Sequence, residues 1–301
     1  MLNKKLKMIV MSGILALSLV FVTGCAEMDV SFNAEDKSAQ YGVDVPYEEE
    51  AVPVETGVFS GDTQFIMPSE DEQYKYAGAL AKIGTDVEVK DTSNATYLGR
   101  DTEYGNWRGG NDCNTRNTMI NDAVSAYDMR NGAKTIKYDN KKACKVLEGT
   151  FYDFYTNKAI DFVRGTGSNQ DGGVQIDHIV AVRLTFDEGA SAWTETERKA
   201  YYNDPEVLIA VENRINSRKG DGYCKSKGCD INDNNIYGET EDKAYKFWVP
   251  PNINYRCEYA YRQVTVREKY GLWMLPDERD TYSMILSVCS GKENPKKLIG
   301  E

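Results

Sequence analysis

The chain has 301 residues, 41% of them hydrophobic, enough apolar material for a buried core and too much for a wholly disordered chain. Its 47 acidic and 36 basic residues give a net charge of −11, which argues against nucleic-acid handling by the chain as a whole. The acidity is uneven, though. Residues 26–94 hold 16 Asp/Glu and 4 Lys/Arg, whereas residues 95–291 hold 29 and 26, so the larger part of the chain is close to neutral.

At the N-terminus, Lys4, Lys5 and Lys7 precede an apolar run from Met8 to Val22 that ends in Val22-Thr23-Gly24-Cys25. This has the form of a bacterial lipoprotein signal, cleaved before Cys25 and leaving lipid on that cysteine. A plain secretory signal or a short anchor is the alternative, and the run is short for a membrane-spanning helix. The signal would occupy 1–24. Residues 25–73 read as an acidic, disordered tether, because "VPYEEEAVPVE" carries charge and proline without apolar periodicity. Residues 74–291 would form one domain, and 292–301 a C-terminal tail.

Within that domain the first predicted helix is Tyr74–Ile83. Thr115–Met129 is the next, with Met119, Ile120, Val124 and Tyr127 at helical spacing and an Asn-Gly turn after it. "CKVLEGTFYDFY" predicts a strand pair turning at Glu148-Gly149, continued by "KAIDFV". "VQIDHIVAV" predicts a strand entering a turn. Thr194–Asp204 predicts a helix with a threonine cap and a glutamate three residues on. "EVLIAV" predicts a short strand, and "NRINSRKGD" opens another helix. Residues 222–245 look like an insertion. Tyr255–Tyr270 and Pro276–Val288 close the chain as helices. The class is mixed α+β, without internal repeats.

With Cys25 lipidated, six cysteines remain: Cys113, Cys144, Cys224, Cys229, Cys257 and Cys289. An even number in an exported chain predicts disulfides, and nearness in sequence suggests 113–144, 224–229 and 257–289. A zinc site at Cys224 and Cys229 is the weaker alternative.

The chemistry centres on His178, the one histidine of the chain, directly after Asp177. Asp offers an oxygen to a hard cation, and His offers a base that titrates near neutrality. A bend at the strand end would let both reach one cleft. Further on, Asn216 supplies a neutral oxygen, while Arg218 and Lys219 can meet phosphate. With a single histidine and paired cysteines, no nucleophile–base set for a serine or cysteine hydrolase is visible.

Taken together, "DHIVAV", "GASAWTETERKAYYNDPEVLIAVENRINSRKGD" and "FWVPPNINYRCEY" resemble the HNH (ββα-metal) endonucleases. The likeness is closer to secreted and GmrSD-type C-terminal nuclease domains. "CNTRN" (Cys113–Asn117) and "FYTNKAIDFVRG" extend the similarity, which runs from about Tyr74 to Cys289. The resemblance implies an α+β, disulfide-stapled domain with a ββα-metal core. Asp177 and Asn216 would hold one divalent metal, Mg²⁺ by this likeness, and His178 would activate water. Lys219, Arg218 and Arg116 would contact the substrate, DNA in preference to RNA. No small-molecule cofactor is implied, and lipid on Cys25 would tether the enzyme at the extracytoplasmic face of a bacterial membrane. Two positions depart from the pattern: Val207 stands where relatives have the central Asn that fixes the loop bearing the base, and Ala181 stands where they have proline. A catalytically weak, nucleic-acid-binding lipoprotein is the alternative those departures favour.

Overall fold

The computed structural model describes residues 65–83, 95–110, 113–167, 172–222 and 247–299. The expected signal segment, Cys25, most of the tether, and Cys224 and Cys229 lie outside the described residues. Helix α1 spans Glu70–Lys82, and the short α2 spans Arg100–Glu103. The first helix begins four residues before the apolar pattern does. Ser69 and Glu72 close a capping box, and three acids in the first turn favour the positive end of the helix dipole. The acidity that resembles a tether in the sequence is here a helix start.

Helix α3 spans Thr115–Asn131 and ends at Gly132, whose φ of 60° supplies the left-handed cap. Strands β1 (Lys137–Asp139), β2 (Lys142–Asp153) and β3 (Lys158–Val163) form an antiparallel sheet in that order. The expected turn at Glu148-Gly149 is absent: β2 runs straight through it, and the chain reverses at 154–157, where Asn157 takes φ 59°. Gly149 serves packing instead. A Cβ there would meet Val124 Cγ1 of α3 at 2.5 Å, so glycine lets the helix lie close on the sheet.

A second, two-stranded sheet pairs β4 (Val174–His178) with β5 (Leu208–Glu212), antiparallel, with Asp177 opposite Ile209 and His178 opposite Leu208. Between them lie α4 (Val182–Asp187) and α5 (Glu195–Tyr202), the latter capped by Thr194 and Glu197 as expected. Helix α6 (Asn213–Lys219) follows β5 directly, so two antiparallel strands and a helix form one contiguous unit. Helices α7 (Arg256–Tyr270) and α8 (Pro276–Cys289) complete the domain, and residues 295–299 fold back so that Leu298 is buried.

The β4–β5 hairpin separates two apolar clusters. One gathers Tyr155, Ile209, Val211, Ile215 and Trp248 with α7 and α8. The other gathers Val124, Val174, Ile176, Tyr201, Tyr202 and Val207 with α3 and the first sheet. Disulfides tie Cys113 to Cys144 and Cys257 to Cys289, as the spacing suggested. Each closes a loop of some 30 residues, worth about 3–4 kcal/mol by the chain-entropy relation. A buried triad adds a polar clamp: the Arg267 guanidinium donates to Glu188 at 2.8 and 3.0 Å and to Glu278 at 2.5 Å, linking α7 to α8 and the end of α4.

Candidate active site

Strand geometry decides what the Asp-His pair can do. Successive strand residues point to opposite faces, and β4 stays regular through His178. Asp177 therefore shares a face with Gln175, while His178 shares the other with Ile176. The expected bend that would bring both side chains into one cleft does not occur.

On the first face, two rungs join β4 to α6. Asn216 and Lys219 are three residues apart on the helix and so lie on one side of it. The Asn216 side-chain amide donates to Gln175 Oε1 at 2.6 Å, and Lys219 Nζ donates to Asp177 Oδ2 at 2.5 Å. Tyr155 Oη donates to the same Asp177 oxygen at 2.6 Å. Lys219 Nζ also reaches the carbonyls of His178 and Ile179 at 2.7 and 3.2 Å. Burial pulls its pKa down, against the opposing pull of Asp177. The expectation that Lys219 holds a substrate phosphate is thereby corrected: its side chain is 1% exposed and is spent inside the protein on Asp177.

Asp177 and Asn216 are the residues on this face that could hold a hard cation, beside the Lys219 ammonium already on Asp177. Asp177 Oδ1 and Asn216 Oδ1 accept no hydrogen bond from the described residues, and neither is among the fully buried unpaired atoms. Two such oxygens match an ion that keeps most of its water ligands. A cage of three or more His, Cys, Asp or Glu side chains is absent among the described residues.

On the second face, His178 packs in a group of rings. Tyr202 stacks on it at 4.7 Å between centroids, and Trp107 lies nearly parallel at 5.7 Å. Its Nε2 bonds the Tyr202 carbonyl at 3.0 Å. Burial pushes its pKa down to about 3, with the charges of Lys219 and Arg100 adding to the effect and the Tyr202 carbonyl opposing it. The expected titration near neutrality is thereby corrected, and the ring is neutral at pH 7. With Nε2 donating to a carbonyl, Nδ1 carries the lone pair, the arrangement of an oriented base.

The turn that follows His178 is held firmly despite Val207. The Val207 carbonyl accepts from Ile179 N at 2.9 Å, Gln263 donates to the Ile179 carbonyl at 2.5 Å, and Tyr201 Oη donates to the Val180 carbonyl at 2.5 Å. One backbone bond and the side chains of Gln263 and Tyr201 thus brace this turn. Ala181 sits at φ −59°, the value a proline ring imposes.

Arg116 donates to the Val174 carbonyl at 3.3 Å, and burial beside Arg164 lowers its pKa. That bond braces the start of β4. Arg218 is exposed at the end of α6. The sequence reading missed Tyr155, Gln175, Tyr202 and Trp107. Gln175 was within reach, because two residues before Asp177 on a strand means the same face; the other three carry no local signal. A cavity of about 440 Å³ lies away from the imidazole, along the edge of β5 between Tyr127, Tyr152, Phe154 and Tyr255.

The paired strands β4 and β5 and the helix α6 thus carry a carboxylate, an amide oxygen and a neutral imidazole within one unit. The chain belongs to the family of GmrSD restriction endonuclease C-terminal domains, whose sequence profile matches residues 121–282, a span that includes Asp177, His178, Asn216 and Lys219. It is also 26% identical over 180 residues, 59% of this chain and 68% of the other, to an uncharacterized secreted protein of Arthroderma benhamiae. No solved structure matches. Membership in the family points to a nuclease-type function. Among the described residues no helix is long and apolar enough to cross a membrane.

Proposed function

We propose that this protein is an extracytoplasmic, lipid-tethered endonuclease that hydrolyses phosphodiester bonds of DNA, in preference to RNA, with one divalent cation and a water activated by His178. The observation that carries the reading is the His178 tautomer. Nε2 is held by the Tyr202 carbonyl, leaving Nδ1 as a proton acceptor one residue from a carboxylate with a free oxygen.

In this account β4–β5–α6 is a ββα-metal core. Asp177 and Asn216 would hold the ion, Mg²⁺ by donor type. When bound, it supplies positive charge to the scissile phosphate and the leaving oxygen. Tyr155 fixes the Asp177 carboxylate, and Gln175 fixes the Asn216 amide. His178 takes the proton from water at Nδ1, and its ring is already neutral. Because Asp177 and His178 face opposite ways, the phosphate must lie across the end of β4, where it touches both sides. Arg218, exposed at the end of α6, would meet a neighbouring phosphate.

The Lys219–Asp177 ion pair favours a second reading, a non-catalytic nucleic-acid-binding lipoprotein, since an ammonium already neutralises the carboxylate. The two separate cleanly. The chain from residue 26 is incubated with plasmid and Mg²⁺, with and without chelator, beside His178→Ala. Chelator-sensitive nicking lost in the variant is expected. Intact plasmid with every divalent ion would leave only the binder, and equal nicking by the variant would remove His178 as the base.

A further inference from the structure

The loop 105–110, "GNWRGG", lies against His178 and is built to stay there. Gly105 and Gly109 take φ 74° and 112°, and a Cβ on Gly109 would strike the Cys113 carbonyl at 2.8 Å. Asn203, at the end of α5, pins the loop. Its Oδ1 accepts from Arg108 N at 2.5 Å and Thr115 Oγ1 at 2.7 Å, and its Nδ2 donates to the Lys199 carbonyl at 3.0 Å. The Arg108 carbonyl in turn accepts from Thr115 N at 2.9 Å.

This anchoring holds the Trp107 ring on Tyr202, centroids 4.5 Å apart, in the ring group that includes His178. Trp107 is only half-buried. One side of the indole is packed and the rest meets solvent. Beside it, Arg108 is exposed and makes no ion pair among the described residues. Arg100 has a side chain 57% exposed that pairs with its neighbour Asp101, and its charge contributes to lowering the His178 pKa. A half-open indole on a pinned loop, with an exposed arginine next to it in the chain and a second exposed arginine whose charge reaches His178, is the combination that holds single strands elsewhere: a stacking surface for a base and cations for phosphates. A duplex keeps its bases stacked on one another, so it cannot use the indole.

We propose that Trp107, Arg108 and Arg100 form a docking platform for an unpaired stretch of nucleic acid, presenting its phosphate to His178 and giving the protein a preference for single strands over duplex. The proposal rests on the nucleolytic reading for its role, yet binding tests it without any cleavage. The Trp107→Ala, Trp107→Phe and Arg108→Ala chains are compared with the unaltered chain in chelator, by fluorescence anisotropy of a labelled oligonucleotide, single-stranded or annealed to its complement. The unaltered chain should bind the single strand at least tenfold more tightly. Trp107→Ala should lose about tenfold of that affinity, the size of one base–aromatic stack, with duplex affinity unchanged. Trp107→Phe, which keeps a ring, should retain most of it. Arg108→Ala, at an exposed position that leaves the fold intact, should lower the salt dependence by about one phosphate contact.

Equal affinity for duplex and single strand, or single-strand affinity indifferent to both Trp107→Ala and Arg108→Ala, overturns the platform. Should Trp107→Ala fail to fold by near-ultraviolet circular dichroism, Trp107→Phe and Arg108→Ala decide. Trp107-dependent single-strand binding without any cleavage would sustain the platform and sink the catalytic role. Cleavage of plasmid with no such dependence would do the reverse.

Discussion

Lys219 Nζ lies 2.5 Å from Asp177 Oδ2, and both side chains are buried. Within the interior such a pair is a fixed charge balance, and removing one partner strands the other. Lys219→Met should destabilise the protein by about 3–5 kcal/mol, because the Asp177 carboxylate keeps only Tyr155. Here stability also reports on the proposed ion. A divalent cation at Asp177 and Asn216 replaces the lost positive charge, so millimolar Mg²⁺ should raise the melting temperature of the variant more than that of the parent. A Mg²⁺ response no larger in Lys219→Met than in the parent would count against cation binding on this face.

The pH dependence follows from the one imidazole. His178 titrates at about 3 in the folded protein against 6.5 when free, so between these values the unfolded chain binds the extra proton. Its contribution is fully present above pH 6.5 and is lost progressively as pH falls toward 3, at a slope of up to about 1.4 kcal/mol per pH unit. Asp153 works in the opposite sense. Burial raises its carboxyl to about 7, so it favours the folded state at low pH and ceases to as pH rises through that value. Urea midpoints against pH for the parent and His178→Phe separate the two: the phenyl ring keeps the stack, and the fall below pH 6.5 should shrink. Identical curves would show that the imidazole is not buried and neutral as described.

Much of this architecture can be read in the residues. Thr194 with Glu197, Asn-Gly at 131–132 and Pro276 announce helix boundaries through short-range chemistry, and the structure places those boundaries within a residue or two. Errors arise where tertiary contact decides. Glu148-Gly149 looks like a turn in isolation, yet Gly149 is small because α3 packs on it. Likewise, Asp-His suggests one cleft, but pairing of β4 with β5 keeps the strand regular and sends the side chains apart. Lys219 offers a phosphate-binding cation by residue type, and only the position of α6 over β4 turns it inward. The brace around Ile179 was invisible because its side-chain donors, Gln263 and Tyr201, come from distant helices, and the groups they meet are backbone carbonyls, which no residue identity marks.

The Arg267 triad carries one cation for two carboxylates, all three side chains nearly or fully buried. Burial and the neighbouring Glu278 push the Glu188 carboxyl well up, against the pull of Arg267. Arg267→Leu would leave Glu188 and Glu278 facing each other without a counter-charge. A loss of about 3–5 kcal/mol in denaturant unfolding is expected, partly recovered in the double variant with Glu188→Gln. Strict additivity of the two substitutions would indicate that they do not share one network.

Ala181 offers the converse experiment, a gain. Its φ of −59° fits a proline ring, and among the described residues its N–H donates no backbone hydrogen bond, while its carbonyl accepts from Thr185 N at 2.9 Å as the first turn of α4. Ala181→Pro therefore restricts the unfolded chain without removing a native bond and should stabilise by about 0.4–1 kcal/mol. That corresponds to a melting temperature higher by about 1–4 °C for a domain of this size. Since the substitution keeps the local backbone, it should leave the His178 ring on Tyr202, and the imidazole resonance, unique in this chain, should keep its chemical shift. A lowered melting temperature would mean that Val180, which a following proline confines to extended geometry, cannot keep its carbonyl on Tyr201 Oη.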